Sequence, residues 1–337
     1  AGLFAETGSG AVIHDVIVDA DVTSNVASSS YGTGGLIGKI SGTSNINNCG
    51  VNGSVKNTAT STNSAYAGGL IGYINANCTI DNSYTICSVD NNNGASSSST
   101  GGLIGRTSNY YTLSVSNCYA SGNVTAKKGY AGGITGYVYC SSNYKHTYSN
   151  CYAAGQVTVT SASANAYGFA YSYASAGFSF TNCFYNNINA KGFNNTVEGI
   201  TEKTSDELKN LDSALGDTFQ QDKTNINNGY PILSWQYTDP DATCSITFNV
   251  MPKDSELTWN GEKQPANEDG IYTFENVKVG NYAYHVANEA GDYTAQSGTI
   301  SAKGKNLTQN ITLQLNKHNL TFELDPADMD FQTKSGN

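Results

Sequence analysis

The side chains of this chain that could do chemistry are carboxylates, histidines, cysteines and tyrosines, and their spacing limits what each could do. Residues 1–197 hold six carboxylates: Glu6, Asp15, Asp19, Asp21, Asp81 and Asp90. A glycoside hydrolase needs two carboxyl groups facing each other across the scissile bond, and a lyase needs a basic residue beside a carboxylate cluster that holds Ca²⁺. Asp15, Asp19 and Asp21 could share one edge as a metal or acid site, or form a solvated rim, which is the plainer reading. His14, His146, His285 and His318 are widely separated, lack metal-ligand spacing and read as structural. Asp325, Asp328 and Asp330 could bind Ca²⁺, but a solvated turn explains them as well. The glycine-rich phrases lack the Lys-Ser/Thr and the following helix of a phosphate loop. No catalytic residue, metal or cofactor is expected from this inventory.

Tyrosine is the more promising group. Tyr110, Tyr111, Tyr137, Tyr139, Tyr144 and Tyr148 fall in two long stretches of adjacent repeats, where each ring offers a stacking face and a hydroxyl. They are the candidate ligand-binding residues, suited to stacking on sugar rings; the alternative is that they stack on one another and simply cover the fold.

What must position these side chains is a repeat. The phrase Gly-Gly-Leu-Ile-Gly occupies Gly34–Gly38 and returns at Gly68–Gly72 and Gly101–Gly105, then altered at Gly132–Gly136. About a dozen residues after each comes Asn48-Cys49, Asn82-Ser83-Tyr84, Asn117-Cys118-Tyr119 or Asn150-Cys151-Tyr152, with Asn182-Cys183-Phe184 closing the series. Gly35, Gly69, Gly102 and Gly133 lie 34, 33 and 31 residues apart. A fixed period in this range marks a solenoid. Gly, Asn, Ser, Thr, Tyr and short Val/Ile pairs favour strands and turns over helices, so each unit is a β coil. Stacked coils would place Leu36, Leu70, Leu103 and Ile134 in one interior ladder and Cys49, Ser83, Cys118, Cys151 and Cys183 in another, roughly 4.8 Å apart from coil to coil. The paired glycines suit close backbone stacking or a positive φ. Four of the eight cysteines share one phase of the repeat and read as buried free thiols rather than disulfide partners.

GGLIG, a variable arm and then NCYxxGxV resemble the GLUG repeat of bacterial surface proteins, over roughly residues 1–185. The resemblance implies a right-handed parallel β-solenoid in secreted or wall-attached proteins, including adhesin-like ones and the non-catalytic parts of IgA-cleaving peptidases. It implies no chemistry of its own.

Composition agrees with an extracellular all-β chain. Only 13% of the 337 residues are charged, and the net charge of −10 is unevenly spread: residues 1–197 carry seven basic and six acidic side chains, a net of +1, and the remainder carries −11. Without a basic face, nucleic acid and anionic membrane are poor partners. No membrane-inserting segment is evident, and the chain reads as a monomer. It opens inside a repeat, so it reads as a piece of a longer protein.

The links Ser24–Tyr31, Thr58–Tyr66 and Asn91–Thr100 read as solvent-facing turns. Residues 1–197 are the solenoid, and residues 198–238 its C-terminal cap, with a short helix to about Leu215 and Ser205 as its N-cap. Residues 239–316 alternate apolar and polar side chains between turn signals such as Asn260-Gly261, which predicts an antiparallel β-sandwich. Val279–Val286 there resembles the core of PEGA-like or other immunoglobulin-like modules. Phe322-Glu323-Leu324-Asp325-Pro326 echoes Phe248–Pro252, so residues 317–337 read as the first strand of a truncated second module. The expected function is that of a non-catalytic adhesin or stalk segment on a bacterial cell surface, meeting host or matrix glycans or proteins, or acting as a rigid spacer. The alternative is an accessory region of a surface glycan-active enzyme or peptidase whose catalytic domain lies outside this chain.

Overall fold

The computed structural model describes residues 1–316 other than 162–164, 173–176, 190, 238–240, 265–267, 303 and 305. Residues 317–337, with His318, the three late aspartates and the echoed strand, lie outside the described residues. The chain divides into two compact units, Ala1–Tyr237 and Thr238–Asn337.

The first unit is a parallel β-solenoid of about five turns. One coil runs through Gly32–Gly34, Ile37–Ile40, Ser44–Asn47 and Gly50–Asn57. The next coil repeats this path in register, with Gly34 beside Gly68, Ile37 beside Ile71, Ile46 beside Ile80 and Val55 beside Val89. Three parallel sheets result: a five-stranded one carrying the first glycine of each phrase, a six-stranded one after it, and a fourteen-stranded one that wraps the Asn-Cys corner. Leu36, Leu70, Leu103 and Ile134 are fully buried, as the repeat phase predicts.

Close stacking, not positive φ, explains the second glycine of each phrase. A Cβ on Gly69 would sit 2.1 Å from the carbonyl oxygen of Gly102, and one on Gly102 would sit 2.1 Å from that of Gly133. Positive φ belongs instead to the asparagines: Asn48, Asn82, Asn117, Asn150 and Asn182 have φ of 50, 53, 50, 49 and 51°, and Asp15 holds the same place in the first coil at 57°. Asn tolerates this left-handed conformation better than most residues. Their side chains also form a ladder up the corner, Asn48 donating to Asp15 Oδ1 at 3.0 Å, Asn150 to Asn117 Oδ1 at 3.2 Å and Asn182 to Asn150 Oδ1 at 2.9 Å. Asn117 departs from it by donating to Asp81 Oδ1 at 2.9 Å.

The corner also explains the residue that follows. The thiols of Cys49, Cys118, Cys151 and Cys183 donate to the carbonyls of Asn47, Ser116, Ser149 and Thr181, two residues back, and Ser83 Oγ does the same to Asp81. Cys and Ser exchange at this position because each brings a small donor that closes the turn. All eight cysteines are buried and free.

The links between coils are only partly solvent-facing, contrary to the sequence reading. Asn91, Asn93, Ser98 and Ser99 are buried within the link Asn91–Thr100. Asn93 holds its loop together, its Oδ1 accepting from the Ala95 N–H at 2.9 Å and from Ser98 Oγ at 2.7 Å, while its Nδ2 donates to Ser61 O at 3.1 Å. Buried backbone polar groups need such partners, and Asn supplies both donor and acceptor.

The segment after the last coil begins as expected and then departs. Ile200–Lys203 adds a strand to the wide sheet beside Phe178–Asn186. Helix α1 (Ser205–Lys209) is capped by Thr204, not Ser205, in a reciprocal capping box with Glu207. Helix α2 (Asp212–Leu215) follows, and Phe219–Gln220 pairs with Ile232–Leu233. Instead of covering only the end, this strap runs along the side of the coils. The reason is the outward column Tyr84, Tyr119, Tyr152 and Phe184, in register from coil to coil, with rings stacked at 5.4 Å and 5.0 Å between the first three. Leu208, Leu211, Leu215, Phe219 and Leu233 bury that column. Tyr119 Oη donates to Gln236 Oε1 at 2.9 Å, and Trp235 Nε1 donates to Asn82 O at 3.0 Å.

The second unit packs a four-stranded antiparallel sheet (Glu262–Gln264, Ser255–Trp259, Gly280–Asn288, Gln296–Ala302) with a three-stranded one (Ile271–Lys278, Thr243–Met251, Leu307–Thr312) around Ile246, Phe248, Leu257 and Val286. One pairing differs from the expected antiparallel pattern, since Thr243–Met251 and Leu307–Thr312 run parallel. At Asn260-Gly261 φ is 49° and 86°, as a two-residue hairpin turn requires.

Candidate ligand-binding face

Strand alternation sends one residue of each GGLIG strand outward, the residue directly after the phrase. In successive coils it is Lys39, Tyr73, Arg106 and Tyr137, in register. Two residues before each glycine pair a second column holds the buried Tyr66 and Ser99 and the half-exposed Tyr130, in register. The two columns meet. The Arg106 guanidinium lies 4.3 Å from the Tyr137 ring centre, 5.0 Å from Tyr66 and 5.7 Å from Tyr139. Tyr66 meets Tyr73 at 5.2 Å, and Tyr130 meets Tyr137 at 4.8 Å and Tyr171 at 4.3 Å. Lys39 lies 4.8 Å from the Tyr31 ring and pairs with Glu6 at 3.0 Å. The outcome is a continuous aromatic patch spanning several coils, with one arginine set into it; Tyr66 and Tyr137 are covered by their neighbours, and Tyr73, Arg106, Tyr130, Tyr139 and Tyr171 are half-exposed.

Of the six tyrosines marked in the sequence, the structure brings Tyr137 and Tyr139 into this face, their rings 5.9 Å apart. Tyr111 lies in the loop beside it, and Tyr110 in the same loop is strongly exposed, 64%, without a ring contact among the described residues. Tyr144 belongs to a separate turn in which its N–H donates to Ser141 O at 3.1 Å. Tyr148 is not a surface residue: it is 1% exposed, in register with Val115 and Phe180 inside the solenoid. Its volume is accommodated because Thr135 replaces the Ile found at Ile37, Ile71 and Ile104, and the two hydroxyls bond at 3.0 Å. The face also holds Arg106, Tyr66, Tyr73, Tyr130 and Tyr171, which were not among the six residues marked in the sequence. Their phase relative to the glycine phrase was the signal that could have found them.

The side chains of the face offer stacking surfaces and hydrogen-bond donors. Burial pushes the Tyr137 phenol up to about 12, against the pull of Arg106, and also raises that of Tyr73. Both rings therefore stay neutral at ordinary pH and can donate hydrogen bonds. Desolvation raises the Cys78 and Cys87 thiols to about 12 and those of Cys151 and Cys183 further, so none of these four is a ready thiolate nucleophile. Asp15 and Asp21 accept hydrogen bonds from Asn48 and Ser54 of the next coil. Among the described residues no three His, Cys, Asp or Glu side chains converge in a metal-binding group, and no helix is long and apolar enough to cross a membrane. A groove of about 430 Å³ crosses the coils past Val12, Asn45, Cys78 and Ser114, and its lining holds no aromatic or charged side chain.

Residues 96–125 match the family model described as the GLUG motif. A solved structure from Bacteroides ovatus, described as a "putative immunoglobulin A1 protease", is similar at 24% identity over 69% of this chain and 74% of that chain, with a TM-score of 0.44. No protein with a curated description matches.

Proposed function

We propose that this chain is a non-catalytic segment of a cell-surface protein, and that its solenoid binds glycans of a host or matrix through the tyrosine face. A GLUG-bearing β-solenoid fits a surface or extracellular protein. The observation that carries the binding role is the in-register column Tyr73, Arg106 and Tyr137 with Tyr66, Tyr130 and Tyr139 around it. The half-exposed rings of Tyr73, Tyr130 and Tyr139, backed by the buried Tyr66 and Tyr137, suit the apolar faces of sugar units, and phenolic hydroxyls suit their hydroxyl groups. The face needs no moving part, so little ordering cost falls on binding.

A glycan array probed with the full chain tests this. Saturable binding is expected, with Tyr130→Ala and Tyr139→Ala each lowering it several-fold while thermal unfolding stays cooperative. If the wild-type chain bound no glycan, the chain would be a spacer, the other role that this stiff scaffold suits; if it bound and both variants bound like wild type, the tyrosine face would not be the site.

A further inference from the structure

We infer that the tyrosine face selects anionic glycans, sugars bearing a carboxylate or a sulfate ester, and that Arg106 reads the negative group. The inference rests on the glycan reading above and adds the chemical class of ligand.

Arg106 is the only arginine in the chain. Most cations at a protein surface stand near a carboxylate or lie free in water. Arg106 does neither. Tyrosine rings lie against its guanidinium at 4.3, 5.0 and 5.7 Å, the residue is half-buried, and no carboxylate pairs with it among the described residues. Its one hydrogen bond is long, from Nη1 to the Ser97 carbonyl at 3.5 Å. Guanidinium carries five N–H donors in one plane. The ring contacts leave this fork of donors without a charged acceptor among the described residues, and such a fork matches two oxygens of a carboxylate or sulfate.

The comparison within the same column is informative. Lys39, two rungs away, also lies on a tyrosine, but Glu6 neutralises it at 3.0 Å. Arg106 has the aromatic setting without the counter-charge. Cation–ring attraction offsets part of the cost of removing the cation from water, and a bound anion would supply the rest. With only six carboxylates in residues 1–197, the surrounding protein does little to repel such an anion.

The test is an array of glycans printed in matched neutral, sialylated and sulfated forms, followed by solution titration of the strongest matched set. Charge-assisted hydrogen bonds predict roughly 10- to 100-fold tighter binding of the anionic form. Arg106→Gln should erase that ratio by weakening the anionic glycan far more than the neutral one, and Arg106→Lys, which keeps the charge without the planar fork, should keep part of it. The sialylated and sulfated arms show which anion is preferred. Equal binding of neutral and anionic forms by the wild-type chain would overturn the inference and leave the glycan reading intact. So would a ratio unchanged in Arg106→Gln, because Arg106 would then only glue the rings together. Binding of no glycan at all would remove both readings.

Discussion

Replacing Asn117 separates the two reasons for placing asparagine at the solenoid corner. Its φ is 50°, its Nδ2 donates to Asp81 Oδ1 at 2.9 Å, and its Oδ1 accepts from Asn150 at 3.2 Å. Asn117→Ala loses both bonds and forces an ordinary residue into the left-handed region. The conformation costs roughly 1–2 kcal/mol and the two half-exposed hydrogen bonds about 1 kcal/mol together, a loss of about 2–3 kcal/mol. Asn117→Gly loses the same bonds and has no conformational strain, but frees the unfolded chain by about 0.5–1 kcal/mol, for a loss of about 1.5–2 kcal/mol. Glycine should therefore be the milder substitution by up to about 1 kcal/mol. Urea denaturation of the full chain, followed by amide exchange in the coil strands, reads the coils that carry Asn117, with Trp235 fluorescence in a Trp259→Phe background reporting the strap, because Trp259 belongs to the second unit. At a slope of about 2–3 kcal/mol/M the two midpoints should differ by roughly 0.3–0.5 M. Alanine matching or exceeding glycine would refute the claim that backbone conformation selects asparagine here.

Two further outcomes follow from buried groups. His146 sits in the solenoid core in register with Leu113, bonded to Thr107 and to the Tyr111 carbonyl, and desolvation lowers its pKa to about 4. The unfolded chain takes up this proton at about 6.5 and the folded chain only near 4, so stability should be full above pH 6.5 and fall as pH drops between those values, by about 3 kcal/mol. In His146→Leu that slope should disappear from the pH dependence of the urea midpoint; an unchanged slope would assign it to other groups. Tyr152 Oη donates to the Pro231 carbonyl and accepts from Asn227 Nδ2 at 2.8 Å, fixing the strap to the coils. Tyr152→Phe should cost about 1–2 kcal/mol and raise amide exchange in residues 227–233 before it does so in the coils; uniform exchange across both would show that strap and coils open together.

The period of the fold was plain in the sequence because Gly69, Gly102 and Gly133 each meet the backbone of the next coil, where a Cβ has no room. The Leu and Cys phases followed from the same stacking. The tyrosine face was only half legible. Counting tyrosines along the arms found Tyr137 and Tyr139 but also picked Tyr148, whose inward phase could have been read by aligning it with Val115 and Ile80. Arg106 escaped because a lone arginine has no pattern along the chain; its setting exists only once Tyr66 and Tyr137 are placed on neighbouring rungs. The strap was legible as a cap but not in its course, since Trp235 meets a carbonyl 153 positions earlier in the chain, a contact with no local signature.

That course decides how the first unit meets mechanical load. Tension entering through Tyr237 travels back along the strap before it reaches any coil. It must first pull Trp235 from the Asn82 carbonyl and Gln236 from Tyr119, contacts made on the flank of the rod. The rungs are loaded only after the strap has peeled away. Peeling the strap lengthens the unit while the rungs of the coils, and with them the tyrosine face, keep their shape.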